Sequence, residues 1–218
     1  MGPAGATVKP AGSKTVWLWR RLRYQAARAR AVLARQGATA EPMRRRTLLI
    51  GSLALTMTAV DEPEAADPEN LLVLELATGK VVIEMRPDLA PQHVQRIREL
   101  AAEGFYDGVV FHRVIPGFMA QTGDPTGTGR GGSSKPNLPA EFSQEPFRRG
   151  TVGMARAASP NSANSQFFIC FASASHLNGQ YTVWGQVVEG MELVDRIAAG
   201  EPPRNPDKIV RARVQADM

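Results

Sequence analysis

Cysteine is almost missing from this sequence, with one residue, Cys170, in 218. A single thiol cannot close an intramolecular disulfide, and CxxC redox chemistry and multi-cysteine zinc sites are excluded with it. Histidine is nearly as scarce: His93, His112 and His176 lie far apart, and none has a partner at metal-ligand spacing. No apolar run reaches the roughly 18–20 residues of a spanning helix, which excludes a polytopic membrane protein. The G-x-S-x-G elbow and the H-E-x-x-H pattern are absent too, so nothing supplies a nucleophile with its base. What is present is a globular composition, 43% apolar, enough for one domain plus an extension.

Charge is unevenly placed. The formal net charge is +5, yet residues 1–46 hold eleven Lys and Arg against one acid, Glu41, a net of +10. Residues 47–60 are uncharged, and residues 61–218 carry 15 basic against 20 acidic side chains. An acidic body lacks the footprint of a phosphate-tracking protein, so no nucleic-acid partner is expected. Arg44-Arg45-Arg46, an uncharged stretch and small residues near its end form a secretory signal pattern. A short buried helix is the alternative; three arginines at its mouth and acidic, Pro-containing sequence after it argue against burial.

Met43 directly precedes the arginines. Residues 1–42 therefore read as an over-extended start or as a basic extension whose segment 17–34 is amphipathic. Residues 43–66 read as signal peptide and short linker, and residues 67–218 as the functional domain. Arg45-Arg46 before Thr-Leu-Leu fits a twin-arginine signal, so Sec and Tat export stand side by side. A periplasmic protein is expected, with a cytoplasmic or membrane-tethered one as the alternatives.

Apolar runs at 71–77 and 81–86 flank Thr78-Gly79-Lys80 as a β-hairpin would. Val94, Ile97, Leu100 and Ala101 recur at spacings of three and four, predicting a helix over 87–104 that Gly104 stops. Short apolar runs at 109–115, 150–154, 166–171, 182–188 and 208–214 alternate with turns, and one further helix is predicted over 191–198. Many strands with two helices indicate an all-β sandwich or barrel. Residues 122–139 read as a long polar loop. Its Gly127-Thr128-Gly129-Arg130-Gly131-Gly132 matches G-x-G-x-x-G, but Pro136 and Pro139 follow where a dinucleotide site needs a helix. Cys170, inside Phe167-Phe168-Ile169-Cys170-Phe171, reads as a small buried hydrophobe.

Two segments stand out. The run from Phe111 through His112, Arg113, Pro116, Gly117, Phe118 and Met119 to Gln121 sets an arginine, large apolar side chains and an amide across a Pro-Gly turn. In Asn164-Ser165-Gln166-Phe167-Phe168-Ile169, period-two alternation puts Gln166 and Phe168 on one face. Together these residues would form an apolar pocket rimmed by an arginine and two amides. A core strand and a surface arginine are the plainer reading.

These residues closely resemble the cyclophilin family of peptidyl-prolyl isomerases, over essentially all of residues 69–215, in order and without large gaps. The likeness also includes Phe105-Tyr106-Asp107-Gly108, Gly123-Asp124-Pro125, Gly153-Met154-Ala155 and Val183-Trp184-Gly185-Gln186. It implies a closed eight-stranded antiparallel β-barrel capped by a helix at each end, with the active site in a groove outside the barrel. It implies rotation about X–Pro bonds of proline-containing peptides and unfolded exported proteins, with no cofactor and no metal.

By the same resemblance Arg113, Phe118 and Gln121 are catalytic, with Gln121 orienting the arginine. Phe118, Met119, Phe168 and Leu177 would grip the proline ring. Ala155, Arg156 and Ala157 would pair with the substrate chain, and Gln166, His176 and Tyr181 would complete the rim. His176 stands where the best-known eukaryotic members carry tryptophan, Tyr181 where they carry histidine, and Arg156 replaces an asparagine. A monomer without stable membrane insertion after signal cleavage is expected. A proline-peptide-binding or chaperone module with incidental isomerase activity is the alternative.

Overall fold

The first hairpin forms where two apolar runs meet a two-residue turn. β1 (Leu71–Leu76) pairs antiparallel with β2 (Gly79–Met85) across Ala77-Thr78, so Gly79 begins the second strand instead of centring the turn. The computed structural model describes residues 66–218. The 1–42 extension, the signal pattern and Met43 lie outside the described residues, except for Ala66 at its end.

Helix α1 (Pro91–Ala102) begins later than the periodicity predicts, because Pro91 takes the first helical turn, where its missing N–H costs nothing. It buries Val94, Ile97, Leu100 and Ala101. It ends in a Schellman closure: Phe105 N–H donates to Leu100 O at 2.9 Å and Gly104 N–H to Ala101 O at 3.1 Å. Gly104 makes that turn at φ +73°, a left-handed conformation that favours glycine. At the other end Ala90 offers no side-chain cap. Glu141, far along the chain, replaces it: its carboxylate accepts from the N–H groups of Gln92 (3.2 Å) and His93 (3.1 Å) and contacts His93 Nδ1 at 2.7 Å.

Six further strands follow: β3 (Arg113–Ile115), β4 (Met119–Thr122), β5 (Thr151–Met154), β6 (Phe167–Cys170), β7 (Val183–Glu189) and β8 (Ile209–Val214). All eight lie in one sheet, in the order β3-β4-β6-β5-β7-β2-β1-β8, and every neighbouring pair is antiparallel. Helix α2 (Met191–Val194) is shorter than the 191–198 expected. α1 packs on β8 and α2 on β2.

The sheet curls without closing, which corrects the closed barrel. Its edge strands β3 and β8 share no ladder, and among the described residues the isolated bridges Val110↔Lys208 and Val114↔Gly200, with the bond from Gly108 N–H to Ile209 O, stand where a ladder would close it. The cause is chemical. β3 has three residues, and the facing segment contains Pro202, Pro203 and Pro206, which lack the N–H a ladder needs.

The pleat divides the side chains between two apolar clusters. Ala120, Phe167 and Ile169 join Leu72, Ile83 and Trp184 in the main core. Their strand neighbours Met119, Phe168 and Cys170 join Phe147, Ala174, Leu177 and Val183 in a second cluster.

Burial pushes the Glu141 carboxyl up, but the His93 ring and the N–H groups of His93 and Gln92 outweigh it and hold it below its ordinary 4.5. Burial likewise pushes the His93 imidazole below its ordinary 6.5, against the pull of Glu141. A group whose folded pKa is depressed stabilises the fold above its unfolded pKa and loses that contribution as pH falls through the folded value. Acidification is therefore destabilising through His93 from about pH 6.5 downwards, and through Glu141 as well below about pH 4.5. Glu141→Ala is expected to cost about 1–2 kcal/mol in urea unfolding at neutral pH, the value of a lost cap. The gap to wild type should narrow as Glu141 protonates; a gap independent of pH would contradict the capping role.

Candidate active site

Strand register builds the site as a row. β3 and β4 set Arg113 directly opposite Gln121, and β6 sets Phe168 opposite Gln121 on the other side. β5 then places Gly153 opposite Phe168. A Cβ at Gly153 would come within 2.6 Å of Phe147 and 2.7 Å of Phe168, so only glycine leaves room for the two rings. Those rings stack at 5.6 Å and 22°.

Around this row lie the other apolar residues the resemblance singles out. Tyr181 meets Phe168 edge-on at 5.9 Å, and Phe118 lies against His176 at 5.3 Å. Met119 and Leu177 are buried in the same cluster, with Phe118, Ala155 and Tyr181 packed on it half-buried. His176 is exposed at the edge. Cys170 is fully buried there, and burial pushes its thiol up to about 12, which leaves it unreactive.

The amides form a relay. Gln121 Nε2 donates to Gln166 Oε1 at 2.9 Å, and Gln166 Nε2 donates to the carbonyls of Gly129 (3.1 Å) and Gly131 (2.7 Å). The glycine-rich run that formally matches a dinucleotide motif thus serves as a carbonyl cradle for Gln166. Asp124 holds this loop: its buried carboxylate accepts from Thr126 N–H and Oγ1, both at 2.8 Å, and from Gly131 N–H at 3.1 Å. Burial alone would raise its pKa, but the donors of Thr126, Gly131 and Gly129 outweigh that and hold it at about 2.

Arg113 is partly exposed, and its Nε–H donates to Glu201 Oε2 at 2.7 Å. Gln121 stands beside Arg113 in the ladder, but its amide donates to Gln166. Arg156 turns back on its own surroundings, donating to the carbonyls of Ala157 (2.9 Å), Ala158 (3.1 Å) and Gln180 (3.1 Å). Its guanidinium also lies 4.5 Å over the Tyr181 ring, a cation–π contact that fastens the edge segment to the Phe168 cluster. Ala155 N–H donates to Gln166 O and Ala157 N–H to Ser162 Oγ.

Two clefts border the row, of about 580 and 290 Å³, and Gln121 lines both. Ala155, Arg156 and Ala157 line the larger, and Arg113 and Glu201 line the smaller. Among the described residues no three His, Cys, Asp or Glu side chains gather as a metal would need. Sequence reasoning missed Phe147, Asp124 as loop organiser, and Glu201. Phe147 and Glu201 act across long separations, 88 residues for Glu201, that carry no local periodicity, whereas Asp124 bonds Thr126 and Gly131 within its own loop.

A cation beside an amide and a bed of aromatic rings suits the gripping of a small apolar ring and donation to polar atoms next to it, with no bond cleaved. The comparisons with known proteins establish the family. The family model for "Cyclophilin type peptidyl-prolyl cis-trans isomerase/CLD" matches residues 71–214, and the chain belongs to that family. A probable peptidyl-prolyl cis-trans isomerase of Brucella suis is 56% identical over 181 residues, covering 76% of this chain and 92% of the relative. A peptidyl-prolyl cis-trans isomerase of Schizosaccharomyces pombe is 41% identical over 147 residues, covering 64% and 95%.

Solved structures are similar as well. A cyclophilin from Hirschia baltica superposes with a TM-score of 0.65 at 30% identity, over 70% of this chain and 76% of that one. A Cryptosporidium parvum cyclophilin-type isomerase, crystallised in the presence of the dipeptide Ala-Pro, gives 0.62 at 29% identity, over 66% and 98%. The chain is a cyclophilin-type peptidyl-prolyl cis-trans isomerase.

Asp124→Ala would leave the Thr126 and Gly131 N–H groups without their acceptor. It is expected to cost about 1–3 kcal/mol in urea unfolding, the penalty of unsatisfied buried donors. It should also lower kcat/KM through Gln166 and Gln121. Unchanged stability would show that the carboxylate does not hold the loop.

Proposed function

We propose that this isomerase is an exported enzyme that speeds the folding of other exported proteins, and that it works in the row formed by Arg113, Gln121 and Phe168. The observation that carries the reading is the register: consecutive ladder positions set the cation, the amide and the ring beside one another. The secretory pattern in residues 43–66 supports export to the periplasm, with residues 67–218 as the catalytic domain and residues 1–42 as a dispensable extension or over-long start.

Rotation about an X–Pro bond breaks amide resonance and meets a barrier of about 18–20 kcal/mol. At the top of that barrier the prolyl nitrogen is pyramidal and can accept a hydrogen bond, which the planar ground state cannot. A donor aimed at it binds the transition state selectively, as catalysis requires. Arg113 fills that role with the N–H donors of its guanidinium. Phe118, Met119, Phe168 and Leu177 hold the proline ring, with His176 and Tyr181 at the edge. Gln121, held by Gln166, faces the substrate backbone. Ala155, Arg156 and Ala157 offer main chain to the peptide; the Arg156 N–H between two engaged neighbours has no partner among the described residues. Proline-containing peptides are the ligand class, in keeping with the Ala-Pro dipeptide named for the Cryptosporidium relative. A module that only binds proline peptides could lose Arg113, so its presence favours the enzyme.

Arg113→Ala is expected to leave the circular dichroism unchanged and to lower kcat by about 10²–10³, the scale of losing a transition-state donor. Peptide affinity should fall less than turnover. Activity within a few-fold of wild type in a folded variant would refute the mechanism. Residues 67–218 produced alone are expected to match the full chain in kcat/KM. A folded but inactive truncation would give the leader a catalytic part.

A further inference from the structure

The residue that contacts Arg113 lies beyond the edge of the sheet. Val114 and Gly200 form an antiparallel bridge with both hydrogen bonds made, Val114 N–H to Gly200 O at 2.8 Å and Gly200 N–H to Val114 O at 2.9 Å. The next pair outward in such a bridge is Arg113 with Glu201, so backbone pairing sets these two opposite each other. Their side chains then meet through Nε–H and Oε2 at 2.7 Å. Pro202 follows Glu201, and its fixed φ limits the freedom of the segment carrying the carboxylate. Arg113 is thus flanked on one side by Gln121 and on the other by Glu201.

We propose that Glu201 is the positioning residue for the catalytic arginine, an acid that grips Arg113 by Nε and leaves its terminal nitrogens free for the substrate. The proposal rests on the reading of Arg113 as the transition-state donor. The atom gripped is what makes the contact productive. A carboxylate taking the two terminal nitrogens would occupy the donors that the prolyl nitrogen needs. Here only Nε is bound, and Nη1 and Nη2 have no hydrogen-bond partner among the described residues. An arginine side chain has many rotamers, and fixing one before the substrate arrives removes an ordering cost from the catalytic step. The smaller cleft, lined by Arg113, Gln121 and Glu201, is where the freed nitrogens meet a ligand. Both side chains are about half exposed, at 41% and 53%, so the pair adds little to stability and its effect should be read in turnover.

The test measures kcat, peptide affinity and melting temperature for Glu201→Ala, Glu201→Gln and Arg113→Ala in the full chain, and for the Arg113→Ala, Glu201→Ala double variant. Glu201→Ala is expected to lower kcat by about three- to tenfold, the scale of ordering one long side chain, with affinity and melting temperature unchanged. Glu201→Gln keeps an acceptor for Nε–H and should recover part of that loss. The double variant should be no slower than Arg113→Ala alone, because Glu201 acts through the arginine. Full or increased activity in Glu201→Ala, alongside an inactive Arg113→Ala, would overturn the positioning role and leave the catalytic reading standing. An active Arg113→Ala would overturn the catalytic reading itself, and the proposal with it.

Discussion

The antiparallel ladder β3–β4–β6 is the constraint on which the site depends. Side chains alternate with a period of two, so a slip of one residue would exchange the two faces of every strand. In β6 the slip would turn Phe167 and Ile169 out of the core and Phe168 and Cys170 into it. Burying a large apolar side chain is worth about 1.5–3 kcal/mol, whereas an exposed ion pair such as Arg113–Glu201 is worth about 0–1 kcal/mol. Packing therefore decides the register, and the polar groups take their places from it. Arg113, Gln121 and Phe168 come together because the core fixes the residues between them.

The same sheet separates stability from chemistry. The main core fills with alternate residues of the strands and the buried face of α1, while the second cluster on the opposite face leaves Phe118, Ala155 and Tyr181 half-buried at its surface. Its polar rim is held by a chain of contacts: Asp124 orders the glycine loop, the loop carbonyls hold Gln166, and Gln166 holds Gln121. Arg156 fastens the neighbouring edge to Tyr181. Isomerisation needs no covalent intermediate, so fixed positions are the main thing such a protein can contribute.

Local features were legible in the sequence. The 71–85 hairpin, the buried stripe of α1 and the alternation around Phe168 all follow from patterns shorter than one element. The resemblance named Arg113, Gln121 and Phe168, which the ladder brings side by side, and it named the family. What was not legible depends on long separations. Glu141 caps a helix about fifty residues before it, and Glu201 meets an arginine 88 residues before it. β4 went unread as a strand because its four residues are folded tightly back by Pro116-Gly117. The barrel's opening reflects three prolines opposite a three-residue edge strand.

The central claim concerns where a proline sits, and a crystal structure of the protein with an Ala-Pro peptide tests it most directly. The account predicts the pyrrolidine ring on Phe118, Met119, Phe168 and Leu177. It predicts Arg113 with a terminal nitrogen about 3 Å from a polar atom of the proline residue. A ring lodged instead in the cleft beside Gly131 and Asn164, with Arg113 touching no part of the peptide, would contradict it.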